Sequence, residues 1–190
     1  MARILVVFGT TEGHTVKIAG AIAETLRRQR FTAVVAGAGR TTHIAGDFDG
    51  VVVAASIHAG RYQHAVEHWV RVNHEALNGR PTAFVSVCLG VLERKEKVDR
   101  DLQAIVDRFT KETGWHPTIT KIVAGALLYT QYGWFKRMAM KWMASRAGGD
   151  TDTSRDYVYT DWADLVTFAT RFAHTVDARP LAAAAGHGGL

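Results

Sequence analysis

The sequence predicts an α/β domain built as a doubly wound, five-stranded parallel sheet, with helices on both faces and a long insertion before the last helix. Three observations predict it. Short apolar runs of strand length recur along the chain, and the clearest are continuous, as in strands buried on both faces. Between them lie segments whose apolar residues recur at helical spacing, so strands and helices alternate. Directly after the first run comes a loop rich in hydroxyls and glycine, at the place where open α/β sheets bind their ligands.

Ile4-Leu5-Val6-Val7-Phe8, closed by Gly9, is the first strand, and Ile18, Ala19, Ile22, Ala23 and Leu26 mark the helix that follows. Ala33 to Ala36 supplies the second strand and Val51-Val52-Val53-Ala54-Ala55 the third. Val66, Trp69, Val70 and Leu77 trace a helix stopped by Asn78-Gly79. Ala83 to Val87 is the fourth strand, after which Leu102, Ile105, Val106 and Phe109 form a helical stripe ending at Gly114. Ile119 to Val123 is the fifth strand. Trp162, Leu165, Val166, Ala169 and Phe172 describe the last helix, with Thr160 or Asp161 as its cap. The stretch 126–158 is far longer than an ordinary connection, so it is expected to be an insertion with a purpose of its own. The domain is thus expected over 1–176, and the alanine- and glycine-rich tail 177–190, which has no packing pattern, is expected to be disordered.

A chain of 190 residues can bury one substantial core without a disulfide or structural metal. Its single cysteine, Cys88, excludes an intramolecular disulfide and suits a reducing, cytoplasmic setting. Met1-Ala2-Arg3 leads straight into the first strand without a signal-peptide core, and no apolar run reaches the roughly 20 residues of a membrane-spanning helix. A net charge of +5 favours anionic partners, whether nucleic acid, a membrane surface or carboxylate-bearing ligands. Ordinary solubilising charge explains it as well until a local cluster is found.

The first loop narrows the ligand. Thr10, Thr11 and Thr15 offer hydroxyls, Gly13 allows a tight turn, and the next helix aims its free N–H groups and positive dipole end at the same spot, so Thr10-Thr11-Glu12-Gly13-His14-Thr15 is a phosphate site. Glu12 is acidic and no Lys or Arg lies between Gly9 and Val16, which excludes a lysine-bearing Walker loop. The three-glycine dinucleotide fingerprint is also missing. A neutral, hydroxyl-rich cradle suits a monophosphate held by hydrogen bonds.

The pattern T-x-x-G-x-T after the first strand resembles the phosphate loop of flavodoxins, whose doubly wound fold binds FMN at the switch in strand order. That resemblance implies FMN as cofactor. It also implies that two further loops bracket the isoalloxazine ring: Ser56-Ile57-His58-Ala59-Gly60 after the third strand, and Cys88-Leu89-Gly90 after the fourth. Backbone amides near Ser56 and Gly60 would meet the polar edge of the ring, with Ile57, His58 or Leu89 on its faces. Plain surface packing accounts equally well for His58 and for Tyr62. The cofactor would carry the hard chemistry, so no catalytic acid or base is assigned.

The insertion points to the reaction. Between Leu127 and Gly149 there is no Asp or Glu, yet Lys136, Arg137, Lys141 and Arg146 stand among Trp134, Phe135, Met138, Met140, Trp142 and Met143. This reads as a basic amphipathic helix able to lie on an anionic membrane, cover a hydrophobic substrate or pack on the domain. Together with Gly125-Ala126-Leu127-Leu128-Tyr129, Gly148-Gly149-Asp150-Thr151-Asp152-Thr153 and Tyr159-Thr160-Asp161-Trp162, it resembles the menaquinone-dependent protoporphyrinogen IX dehydrogenases of the HemG type, over Arg3 to about Val176. The resemblance implies an FMN enzyme at the cytoplasmic face of the membrane that takes hydrogen from protoporphyrinogen IX and passes electrons to a quinone. Tyr129, Trp134, Arg137, Lys141 and Trp142 would then contact substrate or membrane. The chain departs from that family at Leu128, where a basic residue is usual, and at Thr130 and Gln131, where basic or proline residues are usual. If those family residues meet the porphyrinogen propionates, this chain has another substrate.

Other readings compete. An electron-shuttling flavodoxin would use the same cofactor, but those carriers are typically acidic and this chain is basic. A regulatory flavin-binding module would lack turnover with a quinone. His64-Ala65-Val66-Glu67-His68 matches the inverted zinc-protease pattern without a clear third ligand, so no metal is expected. The basic residues form no DNA or RNA module, so no nucleic-acid partner is expected.

Overall fold

A computed structural model describes residues 1–128, 130 and 152–178. The apolar runs become β1 (Arg3–Gly9), β2 (Thr32–Gly37), β3 (Gly50–Ser56), β4 (Thr82–Val87) and β5 (Ile119–Val123). All pair in parallel, in the order β2-β1-β3-β4-β5. The long helices are α1 (His14–Arg28), α2 (His64–Asn78), α3 (Glu96–Thr113) and α4 (Trp162–Asp177).

The period-two geometry of the strands sorts the core into two layers. Ile4 and Val6, Val52 and Ala54, and Ala83 and Val85 face one side, where α1 brings Ile18, Ile22 and Leu26 and α4 brings Leu165, Phe168 and Phe172. Leu5 and Val7, Val51 and Val53, and Phe84 face the other, against Val66, Trp69 and Val70 of α2 and Val106 and Phe109 of α3. Both faces are covered, which is why the strands are apolar runs and not alternating patterns. Strand order reverses at β1, whose neighbours β2 and β3 lie on opposite sides, so the crevice at the carboxyl ends of β1 and β3 is the topological switch point.

Helix boundaries follow local chemistry. Gly13, in the left-handed region at φ 86°, precedes α1 and offers no side chain to its first turn. Gly114, at φ 72°, ends α3. Of the two capping candidates for α4, Asp161 caps, its carboxylate accepting from the Asp164 N–H at 3.0 Å. Thr160 has a different task, described below.

The stretch 126–158 is not a simple excursion. Its ends, β6 (Ala126–Leu127) and β7 (Tyr157–Val158), pair antiparallel as a short stem. Ala126, Leu127 and Leu128 are buried there, with Leu89, Tyr157 and Tyr159 packed against them. The basic helix expected over 134–146, with Tyr129, Trp134, Arg137, Lys141 and Trp142, lies outside the described residues, as does the tail from 179 onward.

Candidate functional site

A cleft of about 560 Å³ opens at the carboxyl ends of β1, β3 and β4. This is the size of an ordinary cofactor pocket. It is lined by Thr10, Glu12, His14 and Thr15 from the first loop, by Ser56 to Gly60 from the second, and by Val87 to Gly90 from the third. Gly125 and Ala126 add the start of the insertion stem. The residues expected to hold the cofactor are therefore brought to one place, except Thr11 and Gly13, which shape the first loop from outside the lining.

The first loop is pre-organised by its own side chains. Thr10 Oγ1 accepts the Gly13 N–H at 2.8 Å, closing the turn, and the left-handed Gly13 swings the chain into α1. With a glycine at the cap position, no side chain occupies the free N–H groups of the first helical turn. Such a turn is built to receive an anion.

Thr11 is tied sideways to Gln63, the residue before α2. Gln63 Nε2 donates to Thr11 Oγ1 at 3.2 Å and to Ser56 Oγ at 2.8 Å, so one amide couples the first two loops. No sequence pattern signals this role, which depends on the sheet bringing residues 11, 56 and 63 together.

The second loop is a hairpin in miniature. His58 and Arg61 exchange backbone hydrogen bonds at 2.8 and 3.0 Å around Ala59 and Gly60, which both have positive φ. This is a type I′ turn, and it explains the glycine. Arg108 of α3 donates to the Gly60 carbonyl from outside. His58 is exposed and lines the cleft, whereas Tyr62 corrects the surface expectation: it is buried against Phe84 and Phe109, at ring centroid distances of 5.2 and 4.8 Å. Its hydroxyl meets Ser86 Oγ at 2.7 Å, and burial pushes its ionisation far up. Tyr62 anchors the second loop to the core. Tyr62→Phe would strand the Ser86 hydroxyl and is expected to cost about 1–3 kcal/mol of unfolding free energy. A denaturation midpoint matching the parent's would show that the hydroxyl pair contributes nothing.

In the third loop, Cys88 Sγ accepts the Gly90 N–H at 3.2 Å. Burial raises the thiol above its ordinary value, which favours the neutral form of Cys88 and makes it a weakly polar wall of the cleft. Ile57, Val87, Leu89 and Ala126 make the rest of this end apolar, as a flat ring system requires.

At the opposite end stands a contact that sequence reading missed. His14 Nε2 lies 2.8 Å from Thr160 Oγ1, and Thr160 donates to the Ala124 carbonyl at 2.7 Å. Thr160, 146 residues beyond His14 in sequence, thus joins the start of α1 to the segment after β5. Elsewhere, His64 and His68 of the H-x-x-E-H match are exposed, with stacked rings 6.3 Å apart. Among the described residues no three His, Cys, Asp or Glu side chains are grouped to hold a metal.

The comparisons agree with this architecture. The Flavodoxin domain profile matches residues 5–154. Protoporphyrinogen IX dehydrogenase (quinone) of Escherichia coli strain K12 is 35% identical over 176 residues, which is 92% of this chain and 97% of the relative. The enzyme of the same name from Leishmania major is 32% identical over 173 residues, 90% of this chain and 74% of that one. Flavodoxin 1 from Bacillus cereus superposes with a TM-score of 0.55 at 15% identity, covering 91% of this chain and 98% of that structure, a likeness of fold. A flavodoxin domain implies a flavin cofactor. With that fold and a match to the bacterial enzyme along nearly its whole length, the chain belongs to the flavodoxin-domain family of protoporphyrinogen IX dehydrogenases (quinone).

Proposed function

We propose that this chain is an FMN-dependent oxidoreductase that takes hydrogen from protoporphyrinogen IX, yielding protoporphyrin IX, and passes the electrons to a menaquinone-type quinone. The observation that carries the reading is the 35% identity spread over 92% of the chain to an enzyme bearing that name. The cleft supports it. Thr10, Thr15 and the first turn of α1 suit a phosphate, with Thr11, Glu12 and Gly13 shaping the same loop, while Ile57, His58 and Leu89 suit the faces of a ring. Ser56, Gly60, Cys88 and Gly90 line the same cleft, and the reading assigns backbone amides near Ser56 and Gly60 to the polar edge of the ring. Bound FMN would supply the hydrogen-abstracting chemistry, and the chain's own residues bind, orient and exclude water.

The altered Leu128 does not oppose this reading. It is 3% exposed and packs in the stem, so it takes no part in gripping a carboxylate. The basic aromatic run with Tyr129, Trp134, Arg137, Lys141 and Trp142 is the segment we assign to substrate propionates and an anionic cytoplasmic membrane face. No described helix is long and apolar enough to cross a membrane.

The test is an anaerobic assay of the FMN-loaded protein, since oxygen oxidises porphyrinogens unaided. Bleaching of the flavin absorbance by protoporphyrinogen IX, and its recovery on adding a menaquinone analogue, is the expected result. Reduction by a protein reductase alone would assign the chain to electron carriage and overturn the enzymatic reading.

A further inference from the structure

The cleft holds a buried polar group that the protein leaves unmatched. His14, the first residue of α1, lines the cleft and is 6% exposed. Its Nε2 meets Thr160 Oγ1, whose own proton goes to the Ala124 carbonyl. Thr160 therefore accepts from His14, which places a proton on Nε2 and, in the neutral ring, a bare lone pair on Nδ1. That Nδ1 is buried and has no partner among the described residues.

Charge is a second and independent observation. None of the residues lining the cleft is Lys or Arg, and Glu12 is acidic. A phosphate monoester is close to doubly charged above pH 7 and offers only acceptors. Facing such a ligand, a lone pair on Nδ1 is repelled, whereas an N–H there makes a charge-assisted hydrogen bond. The charged groups around His14 are Glu12 in its loop, Lys17 on its own helix, and Asp161 and Asp164 at the start of α4. Asp161 accepts the Asp164 N–H, and Asp164 is paired with Lys121 of β5. The Trp162 ring packs beside the imidazole at 6.0 Å. Burial first, and Lys17 second, hold the free imidazole below its ordinary pKa, so it is neutral before a ligand arrives.

We propose that His14 is a proton-coupled phosphate ligand: the monoester of FMN binds together with one proton from solvent, which is taken up on Nδ1. The resulting imidazolium donates Nε2–H to Thr160 and Nδ1–H to the phosphate, and no bond within the ligand changes. The inference rests on the FMN reading. The sign follows from linkage: the ring's pKa is low in the free protein and raised in the complex. Affinity for FMN therefore falls as pH rises through the interval between the two values, by up to about tenfold per pH unit.

Calorimetric titration of the full chain with FMN at pH 8, in two buffers of different ionisation enthalpy, reads the proton number directly. Uptake approaching one proton is expected for FMN and none for riboflavin, which lacks the phosphate. In His14→Gln the amide keeps the donor toward Thr160, and both the uptake and the pH dependence of affinity should vanish. Histidine ring resonances of the unaltered protein, titrated with and without FMN, should show His14 protonating at higher pH in the complex, a readout independent of how the variant folds. FMN binding without proton uptake, uptake that persists in the variant, or an unmoved His14 titration would each overturn the proposal while leaving FMN as cofactor. Failure to bind FMN at all would overturn both.

Discussion

Replacing Trp115 with alanine is expected to remove about 3–5 kcal/mol of unfolding free energy, the range for deleting a large buried aromatic. Trp115 follows the glycine that ends α3 and is fully buried. Its ring stands edge-on to Phe84, at 5.4 Å between centroids, and to Phe109 at 6.3 Å, while Nε1 donates to Thr82 Oγ1 at 3.1 Å. Those neighbours belong to β4 and α3, whose backbones are held by their own hydrogen bonds, so the vacated space cannot readily collapse. A fall in melting temperature of roughly 10 °C follows for a chain of this length. Thr82 opens β4 at the end of the strand away from the cleft, so FMN affinity of the folded variant should match the parent's. Trp115→Phe should recover much of the loss. A melting temperature for Trp115→Ala within a degree or two of the parent's would show that the core relaxes where packing says it cannot.

Gly9→Ala should injure both stability and cofactor binding. A β-carbon at Gly9 would sit 2.2 Å from Val66 Cγ2 and 2.9 Å from Gln63 Oε1. Val66 is buried on α2, and branching at its β-carbon leaves it little rotamer freedom on a helix. Either β1 or α2 must shift, at an expected cost of about 1–3 kcal/mol. The same shift displaces Gln63, which ties Thr11 to Ser56, so FMN affinity should weaken by more than the stability loss alone implies. A double-mutant cycle identifies the cause: Val66→Ala removes the obstructing methyl, and the combined variant should lose clearly less than the sum of the two single losses. Additive losses would locate the strain elsewhere.

The strands were legible because a sheet covered on both faces writes itself as apolar runs, and Ile4 to Phe8 or Val51 to Ala55 need no further context. The turn of the first loop was legible for a related reason. Its residues are local, and Thr10 closing on Gly13 spans only four residues. The missed features all span distance. Gln63 reaches Thr11 and Ser56, Thr160 reaches His14, and Tyr62 reaches Ser86, each pairing made only after the sheet has placed separate loops side by side. Tyr62 was left open between the ring-side loop and the surface because a residue one step past a tight turn can point inward as readily as outward. Local pattern offered Thr160 or Asp161 as the cap, and Asp161 takes that position.

The stem formed by Ala126–Leu127 and Tyr157–Val158 matters for how such a chain diversifies. It clamps the two ends of the intervening segment together. Once the ends are clamped, each doubling of the enclosed length adds only about 0.6 kcal/mol of closure entropy. The stem therefore acts as a socket: the scaffold can keep its sheet and cofactor cleft while the plugged-in segment lengthens, shortens or changes composition. With Leu89 of the third loop packed against the stem, whatever is plugged in begins beside the cleft.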